Sequence, residues 1–367
     1  MIKFLDLNAI NKTFEDEIIK EIKFLFENDY WINGKAIDKF ERNFSDFIGT
    51  NYTVGTSNGF DALRLCLKLK NIGDGDEVIV PSFTFIATWL AVTSLGAIPV
   101  PVDVKEDDLT LDASLIKKSI TSKTKAIIPV HIFGKPCQMD NINKIGKELS
   151  IDVIEDCAQS HGSKFKGSKI GDTTNLCAWS FYPGKNLGAL GDAGAITCRS
   201  KEEYLKLKAL SNYGSESKYI HNYEGFNTRL DTIQAAILDI KLKKLDLHNG
   251  LRKKQADEYL SRLENIQDLQ LLKKDSFDFE SVWHLFPIRT SNRDQLKSYL
   301  QEKGVDTLIH YPISIMKQKA FSEIDFSGYS CPIGNSAPSK LLSLPIGPHL
   351  TLDNIKAICN LIEEFYK

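Results

Sequence analysis

Residues 180–192 read Ser-Phe-Tyr-Pro-Gly-Lys-Asn-Leu-Gly-Ala-Leu-Gly-Asp and place Lys185 among glycines, just after the apolar run 176–181. The apolar run predicts a buried strand. The glycines and the proline predict a loop at its end, where a ligand can approach the backbone closely. The amine of Lys185 could therefore meet a carbonyl group, although a solvated surface lysine is the ordinary alternative.

A second predicted strand ends in an acid. Residues 151–156 read Ile-Asp-Val-Ile-Glu-Asp, and Asp156 is the last of them. Ligands of open parallel sheets bind beyond the carboxyl ends of the strands, so we expect Asp156 and Lys185 to share one crevice. Pyridoxal phosphate requires such a pair, because a lysine binds its aldehyde and an acid keeps its ring nitrogen protonated. Taken alone, Asp156 could equally well cap a turn.

The order of elements predicts an α/β fold. Short β-branched runs alternate with helical patterns over residues 77–198, which is typical of a mainly parallel sheet covered on both faces. Residues 229–263 predict helices with a break at His248-Asn249-Gly250. We therefore expect a large domain over residues 1–247 and a smaller α+β domain over 248–367, in which residues 328–338 form a surface loop.

Composition and charge exclude several classes of protein. The net charge of -2 and the pI near 6.4 give no general attraction to nucleic acid or to an anionic membrane. The uncharged stretch 81–102 contains prolines and a glycine, so it predicts a buried helix and strand, not a membrane span. Seven scattered cysteines without a CxxC pair argue against disulfides and against a metal site. Without a signal-peptide pattern, we expect a cytoplasmic protein.

Small and aromatic residues follow two other predicted strands. The segment Gly55-Thr-Ser-Asn-Gly59 joins a strand to an amphipathic helix. It predicts an anion site at the helix N-terminus, with a simple capped helix as the alternative. Phe83 and Phe85 follow the strand that ends at Pro81, and one of them could stack on a planar ring while core packing accounts for the other.

Further candidates come from the second half of the chain. Asn227 precedes a long predicted helix and by itself predicts an N-terminal cap. His161, His310 and Tyr311 are candidate substrate contacts, although a lone histidine is more often a structural residue.

Five ordered motifs together resemble the DegT/DnrJ/EryC1/StrS family of nucleotide-sugar aminotransferases. The motifs are Thr56-Ser57-Asn58-Gly59, Pro81-Ser82-Phe83-Thr84-Phe85, Glu155-Asp156-Cys157-Ala158-Gln159-Ser160-His161-Gly162, Ser180-Phe181-Tyr182-Pro183-Gly184-Lys185-Asn186 and Gly225-Phe226-Asn227-Thr228-Arg229. The similarity extends from residues 4–7 to residues 309–312 and 344–345 in the C-terminal part.

The resemblance implies fold-type I, the aspartate aminotransferase architecture, in a homodimer with shared active sites. It implies pyridoxal 5'-phosphate as cofactor, with pyridoxamine 5'-phosphate as its aminated form, and catalysis by Lys185 and Asp156. The implied cofactor-binding residues are Ser57, Asn58, Gly59, Phe85, Asp156, Gln159, Ser180, Lys185 and, from the other subunit, Asn227. The candidate substrate contacts are Tyr182, His161, Arg229, His310 and Tyr311.

The family further implies a transferase of class EC 2.6.1.- that moves an amino group from L-glutamate to a dTDP-linked keto-6-deoxyhexose, as in lipopolysaccharide or O-antigen biosynthesis. Tyr182 before Pro183 resembles the branch that aminates C3 of 3-keto sugars. Amination at C4 is the close alternative. A sugar dehydratase would lack Lys185, and a non-catalytic binding protein on the same fold is the remaining alternative.

Overall fold

The computed structural model describes residues 1–28, 30–272 and 274–367. Its strands are β1 (Tyr52–Thr56), β2 (Glu77–Pro81), β3 (Ile98–Val102), β4 (Thr124–Ile127), β5 (Asp152–Asp156), β6 (Lys164–Phe165), β7 (Ser168–Lys169), β8 (Leu176–Ser180), β9 (Gly194–Cys198), β10 (Ser215–Ser217), β11 (Ile220–His221), β12 (Gln270–Leu271), β13 (Phe279–Glu280), β14 (Phe286–Arg289) and β15 (Leu341–Leu344).

Its α-helices are α1 (Leu7–Lys12), α2 (Glu15–Asn28), α3 (Lys35–Ile48), α4 (Gly59–Leu69), α5 (Ile86–Thr93), α6 (Ala113–Ile116), α7 (Met139–Leu149), α8 (Lys201–Ser211), α9 (Thr232–Leu242), α10 (Leu245–Leu263), α11 (Arg293–Glu302), α12 (Pro332–Lys340) and α13 (Leu352–Phe365). Short 3₁₀ turns cover Lys117–Ser119, Ile132–Gly134, Ile315–Lys317 and Lys319–Phe321.

A seven-stranded sheet forms the centre of the molecule, in the order β1-β9-β8-β5-β4-β2-β3. Every strand pair in it is parallel except the two that involve β9, which runs antiparallel to both β1 and β8. The carboxyl ends of β1, β2, β5 and β8 therefore lie along one edge. The predicted α/β fold with a mainly parallel sheet is confirmed.

Both faces of this sheet are buried because alternate residues of each strand point to opposite sides. Val54, Val80 and Ile154 belong to one apolar cluster with helices α4, α5 and α8. Ile79 and Trp179 belong to a second cluster with α3, α7 and α9. The sheet lies between these two helical layers, so a ligand can approach it at its edges.

The uncharged stretch 81–102 divides into α5 and β3, as predicted. Among the described residues, no helix is both long enough and apolar enough to pass through a bilayer.

The C-terminal part has its own apolar core. Strands β12, β14 and β15 form an antiparallel sheet, and α10, α11 and α13 pack on it. Tyr259 of α10 stacks on Phe286 of β14 with ring centroids 4.7 Å apart. The domain boundary at residues 247 and 248 stays a prediction.

The predicted helix break at His248-Asn249-Gly250 is wrong, because α10 runs through these residues. The helices α9 and α10 are instead separated at Lys243 and Lys244. A glycine inside a helix costs roughly 1 kcal/mol relative to alanine. The long apolar face of α10 that packs into the C-terminal core offsets this cost.

The predicted surface loop over residues 328–338 is also wrong, because residues 332–340 form α12. Pro332 occupies the first helical turn, where a missing N–H costs nothing. The buried carboxylate of Asp103 accepts hydrogen bonds from the N–H groups of Ile333 and Gly334, both at 2.9 Å. A residue more than 200 positions away therefore caps this helix.

Candidate active site

Lys185 lies in the loop of residues 181–193, which connects β8 to β9. The register pairs Ser180 with Gly194, so the loop leaves and re-enters the sheet at adjacent positions. The N–H of Lys185 donates to the carbonyl of Tyr182 at 2.8 Å. A Cβ on Gly188 would lie 2.3 Å from the carbonyl oxygen of Pro183, so the loop closes this tightly only with glycine there.

The amine of Lys185 makes no hydrogen bond or ion pair to any other described residue, although the side chain is half-buried. Burial lowers the pKa of this amine to about 8, while the negative charge of Asp156 opposes the shift. With this pKa roughly a tenth of the amine is unprotonated at pH 7, against far less for an ordinary lysine, and the unprotonated form is the one that a nucleophile or general base requires.

Asp156 is buried at the carboxyl end of β5. Its Oδ2 accepts from the Thr88 hydroxyl at 2.8 Å and its Oδ1 from the N–H of Ala158 at 3.1 Å. Burial raises the pKa of this carboxyl, and the two hydrogen bonds and the charge of Lys185 oppose that rise. A cation bound in front of Asp156 would stabilise its charged form.

Three histidines lie within electrostatic range of Lys185. Burial, followed by the charge of Lys185, lowers the pKa of His161 to about 3 and that of His310 to about 4. The same two causes come first for His284, whose pKa is also far below its ordinary value. These three histidines are therefore uncharged at neutral pH and add no positive charge near the Lys185 amine.

The two predicted histidines differ in their surroundings. His161 is fully buried, with its ring centroid 5.4 Å from that of Trp179 and 5.6 Å from that of Phe181. His310 stacks on Phe4 at 5.6 Å, and its Nδ1 lies 3.0 Å from the Ser343 hydroxyl. His310 is only half-buried, so a substrate can reach it more readily than it can reach His161. A substrate-binding role stays a prediction for both residues.

His284 is a further polar residue of this region that is not among the predicted site residues. The structure begins β14 only at Phe286. His284 lies in the preceding segment and its Nδ1 is 3.1 Å from Oδ1 of Asn186, the neighbour of Lys185. A polar residue between Trp283 and Leu285 in an otherwise apolar run was the available signal.

An aromatic wall follows β2. The ring of Tyr311 lies 5.5 Å from Phe85 and 6.1 Å from Phe83, between centroids. Phe83 is buried while Phe85 is 51% exposed, so Phe85 offers the free ring face. Gln159 donates to the Tyr311 hydroxyl at 3.2 Å and thereby connects this wall to the segment that follows Asp156.

The N-terminus of α4 lies beside the end of β8. Asn58 caps the helix by accepting from the N–H of Asp61 at 2.8 Å. A Cβ on Gly59 would lie 2.6 Å from Cβ of Ser180, so the first helical turn packs directly on the end of β8. Ser57 donates to the Asp61 carboxylate at 2.7 Å. The simple capped helix that the sequence offered as the alternative is therefore present, and the N–H groups of its first turn other than that of Asp61 remain able to bind an anion.

Tyr182 belongs to the Lys185 loop and accepts the hydrogen bond from the backbone N–H of Lys185, whereas Asn227 and Arg229 form no hydrogen bond or ion pair with Lys185 or Asp156 within the described residues. Tyr182 and Asn227 are exposed. Arg229 donates to Oδ1 of Asn212 at 2.9 Å and lines a separate cavity of about 500 Å³.

The prediction from the residue alone that Asn227 caps the long helix is wrong, because Asp231 occupies the N-cap position of α9. Asn227 lies before the start of α9, in a short extended segment where it pairs with Asn212 in an antiparallel bridge.

Three buried side chains behind Asp156 have the types that bind metals. Ligand atoms of His131, Glu155 and Cys157 lie within 4.8 Å of one another. Nε2 of His131 is 3.0 Å from the Glu155 carboxylate, and the N–H of Cys137 donates to its Nδ1 at 3.0 Å. The two histidine nitrogens are thus used in ordinary hydrogen bonds, and the absence of a metal site stays a prediction.

The gathered groups fit pyridoxal phosphate. A half-buried amine without a protein partner suits an aldehyde, a buried carboxylate suits a cationic ring nitrogen, and a helix N-terminus suits a phosphate. Phe85 offers its exposed face to a planar ring.

Comparison with known proteins agrees with this chemistry. The pattern of the DegT/DnrJ/EryC1/StrS aminotransferase family matches residues 12–363. The chain is 42% identical to the dTDP-3-amino-3,4,6-trideoxy-alpha-D-glucose transaminase of Streptomyces venezuelae, over 99% of this chain and 96% of that protein. It is 43% identical to the dTDP-3-amino-3,6-dideoxy-alpha-D-galactopyranose transaminase of Aneurinibacillus thermoaerophilus, over 100% and 99%.

Solved structures give the same result for the fold. The crystal structure of S. venezuelae DesV in complex with ketimine intermediate superposes with a TM-score of 0.97 at 41% identity, covering 100% of this chain and 98% of that one. The structure of NtdA from Bacillus subtilis with bound cofactor PMP gives 0.89 at 32% identity, covering 98% and 85%.

Proposed function

The chain belongs to the DegT/DnrJ/EryC1/StrS aminotransferase family, and we propose that it transfers the amino group of L-glutamate to C3 of a dTDP-linked 3-keto-6-deoxyhexose. The protein is a sugar aminotransferase that depends on pyridoxal phosphate. One observation carries the choice of substrate: relatives at 42% and 43% identity over almost the whole chain are named for dTDP-3-amino sugars.

When bound, pyridoxal phosphate supplies an aldehyde for the amino group and a ring that accepts electrons. Lys185 would hold the cofactor through its amine. Once an amino donor has released that amine, Lys185 would take the proton from the α-carbon of the donor and later return a proton to the sugar carbon. The lowered pKa of Lys185 suits this base role, because the free amine exists near neutral pH.

Asp156 would pair with the protonated ring nitrogen and keep it charged. Its two hydrogen bonds, from Thr88 and from Ala158, fix the orientation of the carboxylate. The helix N-terminus at Ser57, Asn58 and Gly59, with Ser180 beside it, would bind the phosphate. Phe85 would cover the ring and Gln159 would lie beside its hydroxyl.

We also propose a homodimer in which Asn227 of one subunit completes the phosphate site of the other. Asn227 is exposed here, and the hairpin of β10 and β11 exposes Tyr219 at 83% and Ile220 at 56%. Large exposed apolar side chains of this kind are typical of interfaces.

Mixing inactive variants tests the dimer. Protomers with Lys185→Ala and protomers with Asn227→Ala should regain activity when mixed, because the hybrid contains one site with both native residues. A monomer in solution, or no recovery on mixing, would contradict the shared site.

A substrate panel tests the reaction. We expect dTDP-linked 3-keto-6-deoxyhexoses to be aminated with glutamate as donor, and NMR of the product locates the new amine at C3. The panel includes UDP-linked sugars, because a relative at 36% identity is named UDP-2-acetamido-2-deoxy-3-oxo-D-glucuronate aminotransferase. Amination at C4 would replace the C3 proposal, and an amine at neither carbon would reject both.

The cofactor assignment has a simpler test. The purified holoenzyme should be yellow, glutamate should bleach the colour, and borohydride reduction should fix the cofactor on Lys185. A bound cofactor that no amino donor bleaches would favour a dehydratase. Use of the product in lipopolysaccharide or O-antigen synthesis, and a cytoplasmic location, stay predictions.

A further inference from the structure

The side chain of Asn186 joins three separate segments of the chain. Its Nδ2 donates to Oδ1 of Asn249 in α10 and to the carbonyl of Val282, both at 3.0 Å. Its Oδ1 lies 3.1 Å from Nδ1 of His284. The residue next to Lys185 is thus hydrogen-bonded to both the long helix and the segment before β14.

Two backbone carbonyls determine which atom donates and which accepts in each of these linked hydrogen bonds. Asn249 donates its Nδ2 to the carbonyl of His161 at 2.8 Å, so its Oδ1 must face Asn186. The carbonyl of Val282 also only accepts, so both N–H groups of Asn186 are used and its Oδ1 must face His284. A carbonyl oxygen carries no proton, and therefore Nδ1 of His284 is the protonated nitrogen.

When this ring is neutral, its Nε2 is therefore unprotonated. Within the described residues this atom makes no hydrogen bond, and the His284 side chain is only half-buried. It is therefore an acceptor without a protein donor, in a residue that solvent or a ligand can reach.

The groups around His284 all oppose its protonation. Besides Lys185, they are Arg252, His161 and His310. Arg252 comes from α10 and donates to the carbonyl of His284 at 3.2 Å, so it stays charged and close. Burial acts in the same direction, and the pKa of His284 lies well below its ordinary value.

We infer that Asn186 is a positioning residue: it ties the Lys185 loop to the C-terminal part and holds His284 as the Nδ1-protonated tautomer, which leaves Nε2 to accept a hydrogen bond from an N–H or O–H donor at the Lys185 site. The inference rests on the proposed use of Lys185 in amino transfer. It adds to that proposal that His284, on the C-terminal side, offers the reacting groups a hydrogen-bond acceptor and not a donor.

The tautomer can be read directly in the native protein. Long-range nitrogen–proton NMR on protein labelled at its histidines distinguishes Nδ1–H from Nε2–H, and the spectrum of His284→Asn identifies the signal of His284. We expect a neutral ring with Nδ1–H from pH 6 to 9, with and without cofactor. A proton on Nε2, or a cationic ring at pH 7, would overturn the inference, and neither result depends on activity.

A variant that reverses the polarity tests the effect on the site. Asn186→Asp removes both donated hydrogen bonds and places a carboxylate beside Nδ1, so His284 should become protonated within the accessible pH range. The visible absorbance of the holoenzyme should then show an ionisation step between pH 6 and 9 that the native protein lacks. The double variant Asn186→Asp with His284→Asn should lose that step. The amide that then stands at position 284 can still bond the side chain at position 186, but it does not titrate.

The control is Asn141→Asp, which adds a carboxylate at an exposed position of α7. Its titration should superpose on that of the native protein. An Asn186→Asp curve that matches the native one, or a step that persists in the double variant, would rule out an action through His284. A native protein that binds no pyridoxal phosphate would instead refute the proposed function, while the NMR result would still stand.

Discussion

Lys185 is a half-buried lysine within the loop 181–193 and Lys241 is a buried lysine of α9 that contacts the same loop, and burial lowers the pKa of each to about 8. Their partners differ. Lys241 donates to Oδ1 of Asn11 at 2.6 Å and to the carbonyl of Gly188 at 2.7 Å, with no acid beside it. The amine of Lys185 has no hydrogen-bond partner among the described residues, and the negative charge of Asp156 raises its pKa.

The difference indicates that a lowered pKa alone does not identify a reactive lysine. The amine of Lys241 is held between α1 and the loop, so its lone pair has no access to a ligand. The amine of Lys185 has access and a charge partner. We therefore expect Lys241 to stabilise the loop and Lys185 to react.

The largest expected effect is that of Lys185→Ala. We expect kcat to fall by about 10⁴-fold, because the base at the reacting carbon is lost. Lys241→Met is the matched control, and it should retain most of its turnover and its yellow colour. Steady-state kinetics of both variants make the comparison. If the two variants lost activity equally, the distinction between the lysines would fail.

Removing the charge partner of Lys185 should have the next largest effect. Asp156→Asn keeps the shape but cannot hold a cationic ring nitrogen, so we expect kcat to fall by about 10²- to 10³-fold. Because the Asp156 charge raises the pKa of Lys185, the variant should also lower that pKa. The pH dependence of reductive labelling of Lys185 measures this shift.

The control for this variant is Asp152→Asn, at the opposite end of β5, where Asp152 forms an ion pair with Lys70 at 3.2 Å. It should leave kcat and the labelling profile unchanged. An upward shift of the Lys185 pKa in Asp156→Asn would contradict the assigned electrostatics.

A third prediction concerns stability and pH at Lys241. Its pKa is about 8 in the folded chain and near 10.5 when unfolded, so the unfolded chain binds more protons between these values. The free energy of unfolding of the native protein therefore rises with pH in this window, by up to about 3 kcal/mol from this group. Lys241→Met should lack that rise, as urea unfolding at pH 8 and pH 10 can measure.

Lys243→Met, at an exposed lysine that follows α9, is the control and should keep the native pH dependence. A stability difference between the native protein and Lys241→Met that stays constant from pH 8 to 10 would mean that the Lys241 amine is not buried as described.

The smallest expected effect is that of Asn11→Ala, which removes one of the two acceptors of Lys241. We expect a loss of about 1 kcal/mol in the free energy of unfolding and no change in kcat. Asn11 lies in α1, away from the crevice, so only the loop support weakens. A large loss of turnover would show that the two lysines are coupled more strongly than their contacts suggest.

Local patterns predicted the large part of the fold well. The apolar run 176–181 and the β-branched residues of 151–156 identified central strands, because few other elements are buried on both faces. The rule that ligands bind beyond the carboxyl ends of parallel strands then predicted that Asp156 and Lys185 lie at one edge of the sheet. The effect of each residue's charge on the pKa of the other agrees with this prediction. The roles assigned to the two residues still require the experiments above.

The failures share a cause, because each depends on residues distant in the chain. Asp103 caps α12 across more than 200 positions, so the composition of residues 328–338 could not predict a helix. His284 gains its place from Asn186, which no periodicity connects to it. Asn227 and Arg229 form no hydrogen bond or ion pair with Lys185 within the described residues, and the role proposed for Asn227 depends on a second subunit.

The pairing of Ser180 with Gly194 has a consequence for how this enzyme can diversify. Because the strands on both sides enter and leave the sheet at neighbouring positions, the thirteen-residue span between them is anchored at its base. Exposed positions of the span such as Tyr182 and Leu190 can therefore be exchanged without displacing the surrounding strands, whereas Gly188 packs too closely on Pro183 to accept a side chain. Substituting these exposed positions with the residues of a relative is thus a practical way to test whether they affect sugar preference on an unchanged scaffold.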